Sequence, residues 1–405
     1  MTSFADLGLH ADIIRALDEN KITEPTEIQQ KVIPHLLHNR QDLLGLAQTG
    51  TGKTAAFGLP LLQHIQSMQR RGIQALVLSP TRELGQQIAQ QLVLFSKYLP
   101  RISVRAVYGG TPIHPQIRSL ARPPHVVVAT PGRLIDLVER RAVDLSQVTY
   151  LVLDEADEML NMGFQPAIKQ IFSFLPHKKS TWLFSATMPP GIRQLTHQYM
   201  GKDHVQVKAS SKNIVNENIV HQYMVSSSEH KQRVLCGILR ESKRQQSIIF
   251  CKTKAATQKL MQRLLEHGIR ADALHGDLSQ RKRDKVMQRF RRKQIQALVA
   301  TDIAARGLDV EDLHYVIHYN LPDQAEYYTH RSGRTARAGK QGISLCLVAP
   351  HEVRHVHKIA KELSLQFKRV KVPSQAYKDE MHTVTDPSAS RSRRGSPLGR
   401  KRLGT

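Results

Sequence analysis

The strongest constraint on the fold of this chain is a phosphate-binding loop near its start. The loop reads Ala47-Gln48-Thr49-Gly50-Thr51-Gly52-Lys53-Thr54. It follows a short apolar run at residues 42–46 and precedes a stretch from Ala55 that is compatible with a helix. In such a strand–loop–helix unit, backbone N–H groups and the positive end of the helix dipole bind phosphate. We therefore predict that Lys53 binds the β- and γ-phosphates of a nucleoside triphosphate and that Thr54 helps to hold Mg²⁺.

An acidic pair follows a second apolar run. Residues 150–153 are continuously apolar, as in a buried parallel strand, and Asp154 and Glu155 come directly after them. We predict that Asp154 holds Mg²⁺, directly or through water, and that Glu155 orients and deprotonates the attacking water. A solvated helix start is the other interpretation of an acidic run, and the buried strand before it disfavours that interpretation.

A basic cluster lies far downstream, at residues 330–337. Within it, Arg334 and Arg337 are three residues apart and would share one face if the segment is helical. Guanidinium groups can stabilise the charge that develops on a transferred phosphoryl group. Alone, the cluster is typical of a solvated basic helix. Because a phosphate loop lies upstream, it instead predicts an NTPase whose catalytic arginines come from a second domain.

With further motifs in the same order, residues 4–365 resemble the DEAD-box RNA helicases of superfamily 2. The motifs that carry this resemblance lie at residues 25–29, 80–84, 109–110, 130–133 and 185–187 in the first half, and at 249–251, 275–277, 280–283, 300–302 and 305–309 in the second. Residues 3–9 and the basic tail resemble most the bacterial RhlE-like branch. The resemblance implies an ATP-dependent RNA helicase with two tandem RecA-like domains, ATP and Mg²⁺ in the cleft, and RNA across both domains.

The resemblance also implies roles for individual residues. The catalytic residues would be Glu155, Asp154, Lys53, Arg334 and Arg337. ATP contacts would come from Phe4, Ile22, Gln29, Gln48, Thr49, Gly50, Thr51, Gly52, Lys53, Thr54 and Asp309. RNA contacts would come from Pro80, Thr81, Arg82, Gly110, Thr130, Pro131, Gly132, Arg133, Gly276, Arg283 and Thr301. The residues that couple hydrolysis to strand separation would be Ser185, Thr187, Asp157 and His330.

Two of these positions bear on the choice of base. The carboxamide of Gln29 offers a donor and an acceptor, which match the N6 and N7 edge of adenine, whereas guanine presents two acceptors there. Ile22 stands where the family usually has an aromatic residue, and an aliphatic side chain covers a base without stacking on it. We therefore expect nucleotide binding with relaxed selectivity for adenine.

Charge and composition favour a polyanionic partner. The net charge is +25 and the pI is about 10.2. Because only 5% of the residues are aromatic, we expect RNA binding through phosphates and sugars, without sequence specificity. There is no apolar run long enough to span a membrane and no signal peptide, so we expect a cytoplasmic protein without a membrane partner. Ribosome-assembly and RNA-decay proteins are candidate partners.

The three cysteines, Cys236, Cys251 and Cys346, have no Cys-x-x-Cys spacing. This pattern predicts buried free thiols in a reducing compartment.

Apolar runs alternate with helical stretches along the chain, which predicts two α/β domains, each a parallel sheet with helices on both faces. Strands are predicted at residues 75–78, 104–108, 126–129, 150–153, 181–184, 247–250, 297–301, 315–319 and 343–348, and helices at 84–96, 133–140 and 191–200. We expect domain 1 at residues 1–207, a linker at 208–218, domain 2 at 219–370 and a disordered basic tail at 371–405.

Two local patterns have competing interpretations. Residues 281–293 carry eight basic residues against one acid, which a solvated helix explains as well as a functional surface does. His351-Glu352-Val353-Arg354-His355 matches the His-Glu-x-x-His pattern of zinc proteases. Lys361 occupies the place of the later histidine in the extended motif, so we interpret the segment as a solvated helix.

Two other functions fit parts of the pattern. In an ATP-gated RNA clamp or assembly platform, RNA binding would be the output and unwinding incidental. A processive DNA translocase would share the phosphate loop, but the acidic motif at residues 154–157 and the Gln29 motif disfavour it.

Overall fold

A computed structural model describes residues 2–39, 41–48, 50–68, 70–175, 180–209, 218–242, 245–305, 313–336 and 341–372 of the chain. Thr49, Asp309 and Arg337 lie outside these ranges, as do most of the predicted linker and the tail beyond residue 372.

The first half forms a sheet of seven parallel strands with helices on both faces. The strands are β1 (Leu43–Leu46), β2 (Ala75–Leu78), β3 (Val104–Val107), β4 (Val126–Ala129), β5 (Tyr150–Leu153), β6 (Ser180–Ser185) and β7 (Val205–Lys208), in the order β3-β4-β2-β5-β6-β1-β7. The helices are α1 (Ala11–Glu19), α2 (Glu27–His38), α3 (Lys53–Met68), α4 (Arg82–Phe95), α5 (Ile113–Leu120), α6 (Pro131–Glu139), α7 (Ala156–Asn161), α8 (Gln165–Ser173) and α9 (Pro190–Tyr199).

The strand sequences explain why both faces are covered. Alternate side chains of a strand point to opposite faces. Val77 and Val152 therefore belong to the core under α1–α4, whereas Leu78 and Leu153 belong to the core on the other face. All four side chains are buried. Apolar residues at consecutive positions are what a parallel sheet between two helical layers requires.

The second half repeats this plan. Its strands are β8 (Ile219–Val225), β9 (Ser247–Phe250), β10 (Ala271–Leu274), β11 (Ala297–Ala300), β12 (Tyr315–His318), β13 (Gly342–Val348) and β14 (Lys368–Arg369), in the order β10-β11-β9-β12-β13-β8-β14. Its helices are α10 (Lys231–Glu241), α11 (Lys254–Glu266), α12 (Gln280–Arg291), α13 (Asp302–Ala305), α14 (Ala325–Ser332) and α15 (Val353–Leu363). The predicted fold class, two tandem α/β domains with parallel sheets, is confirmed.

Some local expectations differ from the structure. Lys208, where the linker was expected to begin, is the last residue of β7. Helix α14 ends at Ser332, so Arg334 lies after the helix, and Arg337 lies outside the described residues. The His-Glu-x-x-His pattern spans a 3₁₀ turn and the start of α15. Its Glu352 carboxylate accepts hydrogen bonds from Lys231 and from the backbone of Ala349.

The topology gathers the sequence motifs at one edge of each sheet. In domain 1, the phosphate loop follows β1, residues 79–81 follow β2, Thr130 follows β4 and Asp154 follows β5. In domain 2, His275 follows β10 and Thr301 follows β11. Carboxyl ends of parallel strands meet at one edge, and ligands of open α/β sheets bind there.

Candidate active site

The phosphate loop is a tight turn into the N-terminus of α3. Gly50 and Gly52 have φ angles of +85° and +89°, which residues with a Cβ rarely adopt. The Thr51 hydroxyl donates to the Gln48 carbonyl at 2.7 Å, and α3 begins at Lys53. The backbone N–H groups of the first turn therefore lack partners within the helix and are available to an anion.

Gln29 ties this loop to α2. Its Nε2 donates to the Gly52 carbonyl at 3.0 Å, and its Oε1 accepts from the Thr26 backbone N–H at 2.9 Å. The Thr26 hydroxyl donates to the Thr51 carbonyl at 2.8 Å. A carboxamide has two N–H donors and two acceptor lone pairs, so Gln29 can still offer one of each to a base. A side chain at Gly52 would collide with the Gln29 amide.

The other two residues expected on the base lie deeper than a stacking platform would. Phe4 is buried in the core formed by α1, α2 and α3, and Ile22 is partly buried against the same core. Phe4 and Ile22 therefore pack in the core that also includes Ala47 and Ala55, at the two ends of the phosphate loop.

Lys53 is a buried cation that lacks a hydrogen bond. Its side chain is 6% exposed, and its Nζ has no hydrogen-bond partner among the described residues. The nearest carboxylate oxygen is Asp154 Oδ1, at 3.9 Å. Burial raises the pKa of Asp154 to about 6, although the Lys53 ammonium opposes this shift. Because a buried ammonium without a hydrogen bond is costly, the site suits an added anionic oxygen such as that of a phosphate.

The turn after β5 holds Glu155 in a left-handed conformation, with φ 50° and ψ 51°. Its backbone N–H donates to Asp154 Oδ1 at 3.0 Å, and its side chain is buried. A residue with a Cβ is rare in this region of backbone space and costs free energy there. Such residues cluster at functional sites, because only the surrounding structure can hold them.

Asp157 links the acidic motif to the strand beside the phosphate loop. Its Oδ2 accepts hydrogen bonds from the Thr187 backbone N–H at 3.0 Å and from the Thr187 hydroxyl at 2.9 Å. The Ser185 hydroxyl donates to the Thr187 carbonyl at 2.7 Å. The Ser185 carbonyl accepts from the N–H of Ala47, the first residue of the loop, at 3.0 Å. These hydrogen bonds connect the phosphate loop with Thr187 and Asp157.

Several described side chains make contacts between the two domains. His330 Nδ1 lies 3.1 Å from Glu158 Oε1, and both side chains are largely buried. Glu83 Oε1 accepts from Arg283 Nε at 3.2 Å and Nη2 at 3.0 Å. The Gln280 amide lies 3.4 Å from the same Glu83 oxygen.

The residues expected on RNA in domain 1 lie at two neighbouring helix N-termini. Thr81 caps α4 and Thr130 precedes α6, with Pro131 at its first turn. Because β2 and β4 are adjacent, these two helix starts lie side by side. Pro80 precedes the first of them and Gly132 lies in the second. Neighbouring helix N-termini present N–H groups and positive dipoles to phosphates.

Two arginines beside these helix starts have unused donors. Arg82 lies over the Tyr108 ring at 4.5 Å, and its Nε and Nη1 are buried without a hydrogen-bond partner among the described residues. Arg133 Nη2 donates to the Thr111 carbonyl at 2.9 Å, and its Nη1 is buried and unsatisfied within the same ranges. Buried guanidinium donors of this kind suit phosphate oxygens.

Gly110 closes this side of the cleft. It has a φ of +78°, and a Cβ there would lie 3.8 Å from Gln280 of domain 2. In domain 2, the Thr301 N–H donates to the Leu274 carbonyl at 3.2 Å, while Gly276 lies four residues before α12. Arg283 contacts Glu83 across the cleft.

Several residues of these contacts had no individual role predicted from the sequence. Glu83 and Gln280 lie within the motifs at residues 80–84 and 280–283, but no individual role was predicted for them. Glu158 and Asp284 were not assigned to the site, although Asp284 Oδ2 lies 3.6 Å from Arg82 Nη2. Their partners are about 170 to 200 residues away in the chain. The motifs mark segments of the chain, but they do not specify which residue of one segment contacts which residue of the other.

These features define a nucleoside triphosphatase built from two RecA-like domains. Comparison with protein families matches residues 26–195 to the DEAD/DEAH box helicase family and residues 230–339 to the helicase conserved C-terminal domain. The DEAD-box ATP-dependent RNA helicase CshA of Geobacillus kaustophilus (strain HTA426) is 41% identical over 374 residues, covering 92% of this chain and 79% of that protein. The ATP-dependent RNA helicase DbpA of Bacillus subtilis (strain 168) is 40% identical over 376 residues, covering 93% and 78%. The chain belongs to the DEAD-box family of ATP-dependent RNA helicases, which hydrolyse ATP.

Solved structures add information on the arrangement of the domains. The structure of S. cerevisiae Dbp5 bound to RNA and ADP BeF3 matches with a TM-score of 0.84 at 28% identity, covering 94% of this chain and 98% of that one. A DEAD box protein from Methanococcus jannaschii is 39% identical, with coverage of 92% and 99%, but its TM-score is 0.52. A lower score at higher identity is expected when both domains match but are turned relative to each other. The domains of this protein are therefore arranged as in a relative that holds RNA and a nucleotide analogue.

No helix of the described residues is long and apolar enough to cross a membrane. Cys236, Cys251 and Cys346 are free and buried, as predicted.

Proposed function

We propose that this protein couples RNA-stimulated ATP hydrolysis to local, non-processive separation of RNA duplexes or remodelling of RNA–protein complexes. One observation carries this proposal. The contacts between His330 and Glu158 and between Arg283 and Glu83 join the two domains in an arrangement like that of Dbp5 bound to RNA and ADP BeF3.

For ATP, we assign binding of the base to Gln29, with Phe4 and Ile22 beside it. We assign binding of the phosphates to the phosphate loop. Residues 48–52 and the start of α3 offer N–H groups, and Lys53 would bind the β- and γ-phosphates. Thr54 and Asp154 offer the hard oxygen donors that Mg²⁺ prefers, so these two residues would hold the ion. When bound, Mg²⁺ neutralises charge on the phosphate oxygens. Asp309 is proposed to contact the ribose on the grounds of the family resemblance.

Hydrolysis is assigned to three further residues. Glu155 would orient a water molecule and accept its proton at the carboxylate. Arg334 and Arg337 would stabilise the charge that develops on the γ-phosphoryl group. The buried position of Arg334, directly after α14, supports this role.

On the RNA side, we assign phosphate contacts to the two helix starts at Thr81 and Thr130. Arg82 and Arg133 would supply charge, with Pro80, Gly110, Pro131 and Gly132 shaping the surface. Gly276, Arg283 and Thr301 would contribute from domain 2. Because these are backbone contacts, we infer little sequence specificity.

Coupling between the two ligands is assigned to the hydrogen bonds of the interior. Asp157, Thr187 and Ser185 connect the acidic turn with the strand beside the phosphate loop, and His330 connects it with domain 2. ATP and RNA would each favour the same closed arrangement, so each would strengthen binding of the other.

Finer assignments stay part of this proposal. They are domain bounds of 1–207 and 219–370 with a linker at 208–218 and a tail at 371–405, placement near the RhlE-like branch, a cytoplasmic location, and ribosome-assembly or RNA-decay partners. The branch assignment rests on residues 3–9 and the basic tail, and RNA crosslinking in cells followed by sequencing tests the pathway.

Strand release from duplexes of different length tests the proposed output. Closure on a few nucleotides melts only a few base-pair steps, each worth about 1.4 kcal/mol in DNA stacking terms. A duplex of one helical turn should therefore be released with ATP, whereas a duplex of three turns should stay intact. An ATP-gated clamp would bind both and release neither, and a processive translocase would release both. Comparing ATPase rates with RNA and with DNA of the same sequence identifies a processive DNA translocase, because its ATPase would be stimulated by DNA.

A further inference from the structure

Helix α12 carries a strongly basic outer face. Its apolar residues Val286, Met287 and Phe290 are buried in the core of domain 2. The exposed residues on and directly after the helix include six cations, which we call the α12 face: Arg281, Lys282, Lys285, Arg291, Arg292 and Lys293.

These cations have no acidic counterpart. None of the six side chains forms an ion pair or hydrogen bond with any other described residue. The nearby acids are engaged elsewhere, since Asp272 binds Arg289 at 2.6 Å and Asp284 binds Gln280 at 2.9 Å. Like charges one turn apart destabilise a helix, as between Arg281 and Lys285. Asp284 is the one acid on the helix, and it binds Gln280 and lies 3.6 Å from Arg82 Nη2. A merely solvated helix face would gain from acids that pair with its cations, so the excess of unpaired cations favours a polyanionic ligand.

The α12 face is continuous with the proposed RNA cleft. The helix begins at Gln280, which contacts Glu83 of domain 1, and Arg283 in its first turn contacts the same residue. From there α12 extends about 18 Å, at about 1.5 Å per residue. RNA that leaves the cleft on this side would therefore meet a row of cations.

The shape of the α12 face favours one form of RNA. Recognition through the bases needs aromatic platforms on which they stack, whereas double-stranded RNA, whose bases are stacked inside, is held through the phosphates of a regular backbone. The six residues include no aromatic side chain; four of them lie on α12, and Arg292 and Lys293 come directly after its last residue. We propose that the α12 face binds the phosphates of a duplex arm that flanks the strand held in the cleft. This inference rests on the proposed RNA helicase function.

A triple variant tests the proposal. Arg281, Lys285 and Arg292 lie at i, i+4 and i+11, which places them on one stripe of the helix. The test variant is Arg281→Gln, Lys285→Gln and Arg292→Gln. The matched control, Lys169→Gln, Lys202→Gln and Lys259→Gln, removes the same charge from exposed positions on other elements. Two ligands are compared: a short single strand that fits the cleft, and the same strand continued into a closed hairpin duplex.

Binding is measured by fluorescence anisotropy between 50 and 200 mM salt with a non-hydrolysable ATP analogue. Each lost phosphate contact lowers the log–log salt slope by about 0.9 on a duplex, so three lost contacts lower it by about 2.7. Over this fourfold salt range, the affinity of the original protein for the hairpin ligand should therefore fall about fortyfold more than that of the test variant. The control should behave like the original protein, and the single strand should bind all three proteins alike.

Each other outcome has a defined meaning. If the test variant matches the control on the hairpin ligand, the α12 face does not bind RNA and the proposal fails. An equal loss on both ligands also overturns it, because the cations would then act on the strand in the cleft. A charge-preserving variant, Arg281→Lys with Arg292→Lys, should keep the salt slope, and failure to do so contradicts a phosphate role. Absence of RNA-stimulated ATPase in the original protein would instead refute the proposed function.

Discussion

Replacing Arg334 with alanine should lower RNA-stimulated ATP hydrolysis by about 10³-fold or more, the range measured for arginine fingers in other NTPases. The reason is that charge develops on the transferred phosphoryl group only as it reacts, and a guanidinium beside it stabilises that state selectively. The structure anchors this segment through Arg331, whose guanidinium makes two hydrogen bonds to Asp302 at 2.6 and 2.7 Å. Arg337→Ala should have an effect of similar size.

Controls separate loss of catalysis from loss of structure. Arg334→Lys keeps the charge but not the planar fork, so it should remain far below the original rate. Arg354→Ala, at an exposed position on α15, should leave turnover unchanged. The melting temperature and ATP-independent RNA binding should be retained in both Arg334 variants. Turnover within a few fold of the original in Arg334→Ala would refute the assignment.

Glu155→Gln should lower turnover by about 10²-fold or more while ATP still binds. Glutamine keeps the size of the side chain and the turn at the head of α7, but it cannot accept the proton of the attacking water. Lys53→Ala should act differently, because it removes the cation that binds the phosphates and should weaken ATP binding itself.

Two measurements distinguish these effects. Single-turnover hydrolysis reports the chemical step, and titration with a fluorescent ATP analogue reports affinity. Original turnover in Glu155→Gln would show that another group accepts the proton. Equal loss of affinity in the Glu155 and Lys53 variants would show that Glu155 is a binding residue.

The elements that could be predicted from the sequence are those whose chemistry is contiguous along the chain. Strands β2, β4 and β5 begin and end where the continuous apolar runs do, because both faces of these strands are covered. The phosphate loop and the acidic pair were recognisable because each directly follows such a strand. Their local order determines their place at the carboxyl edge of the sheet.

The elements that were missed lack this local signal. Strand β7 alternates between half-buried and exposed residues, β10 includes Asp272, and β14 has only two residues. Residues 330–337 were recognised as basic, but the end of α14 at Ser332 depends on packing within domain 2. The pairs formed by Glu83 and Glu158 depend on the arrangement of the two domains, which no segment of the sequence specifies on its own.

We expect ATP and RNA together to close the domains and so complete one catalytic site from two halves. The pair of Glu83 and Arg283 is the contact that closure forms, and both side chains are largely buried in it. Opening the cleft would expose both to water, where an ion pair contributes little. The pair is therefore too weak to close the cleft by itself. It adds to the stability of the closed arrangement once ATP and RNA have brought the domains together.

Distance between the domains in solution tests this claim most directly. Gln90 on α4 and Gln288 on α12 are exposed, and each lies about 10 Å or slightly more along its helix from the contact of Glu83 with Gln280. Cysteines at these two positions can carry a donor and an acceptor dye. The native thiols are buried, and burial raises the pKa of Cys251 to about 12, so they should not react at neutral pH.

In the closed arrangement the two dyes would lie within about 30 Å of each other. This distance is the sum of the two lengths of helix and the length of the contact between Glu83 and Gln280. The account predicts high energy-transfer efficiency only when a non-hydrolysable ATP analogue and RNA are both present, and low efficiency with either alone. An efficiency that is equally high without RNA, or that does not change when both ligands are added, would contradict the account.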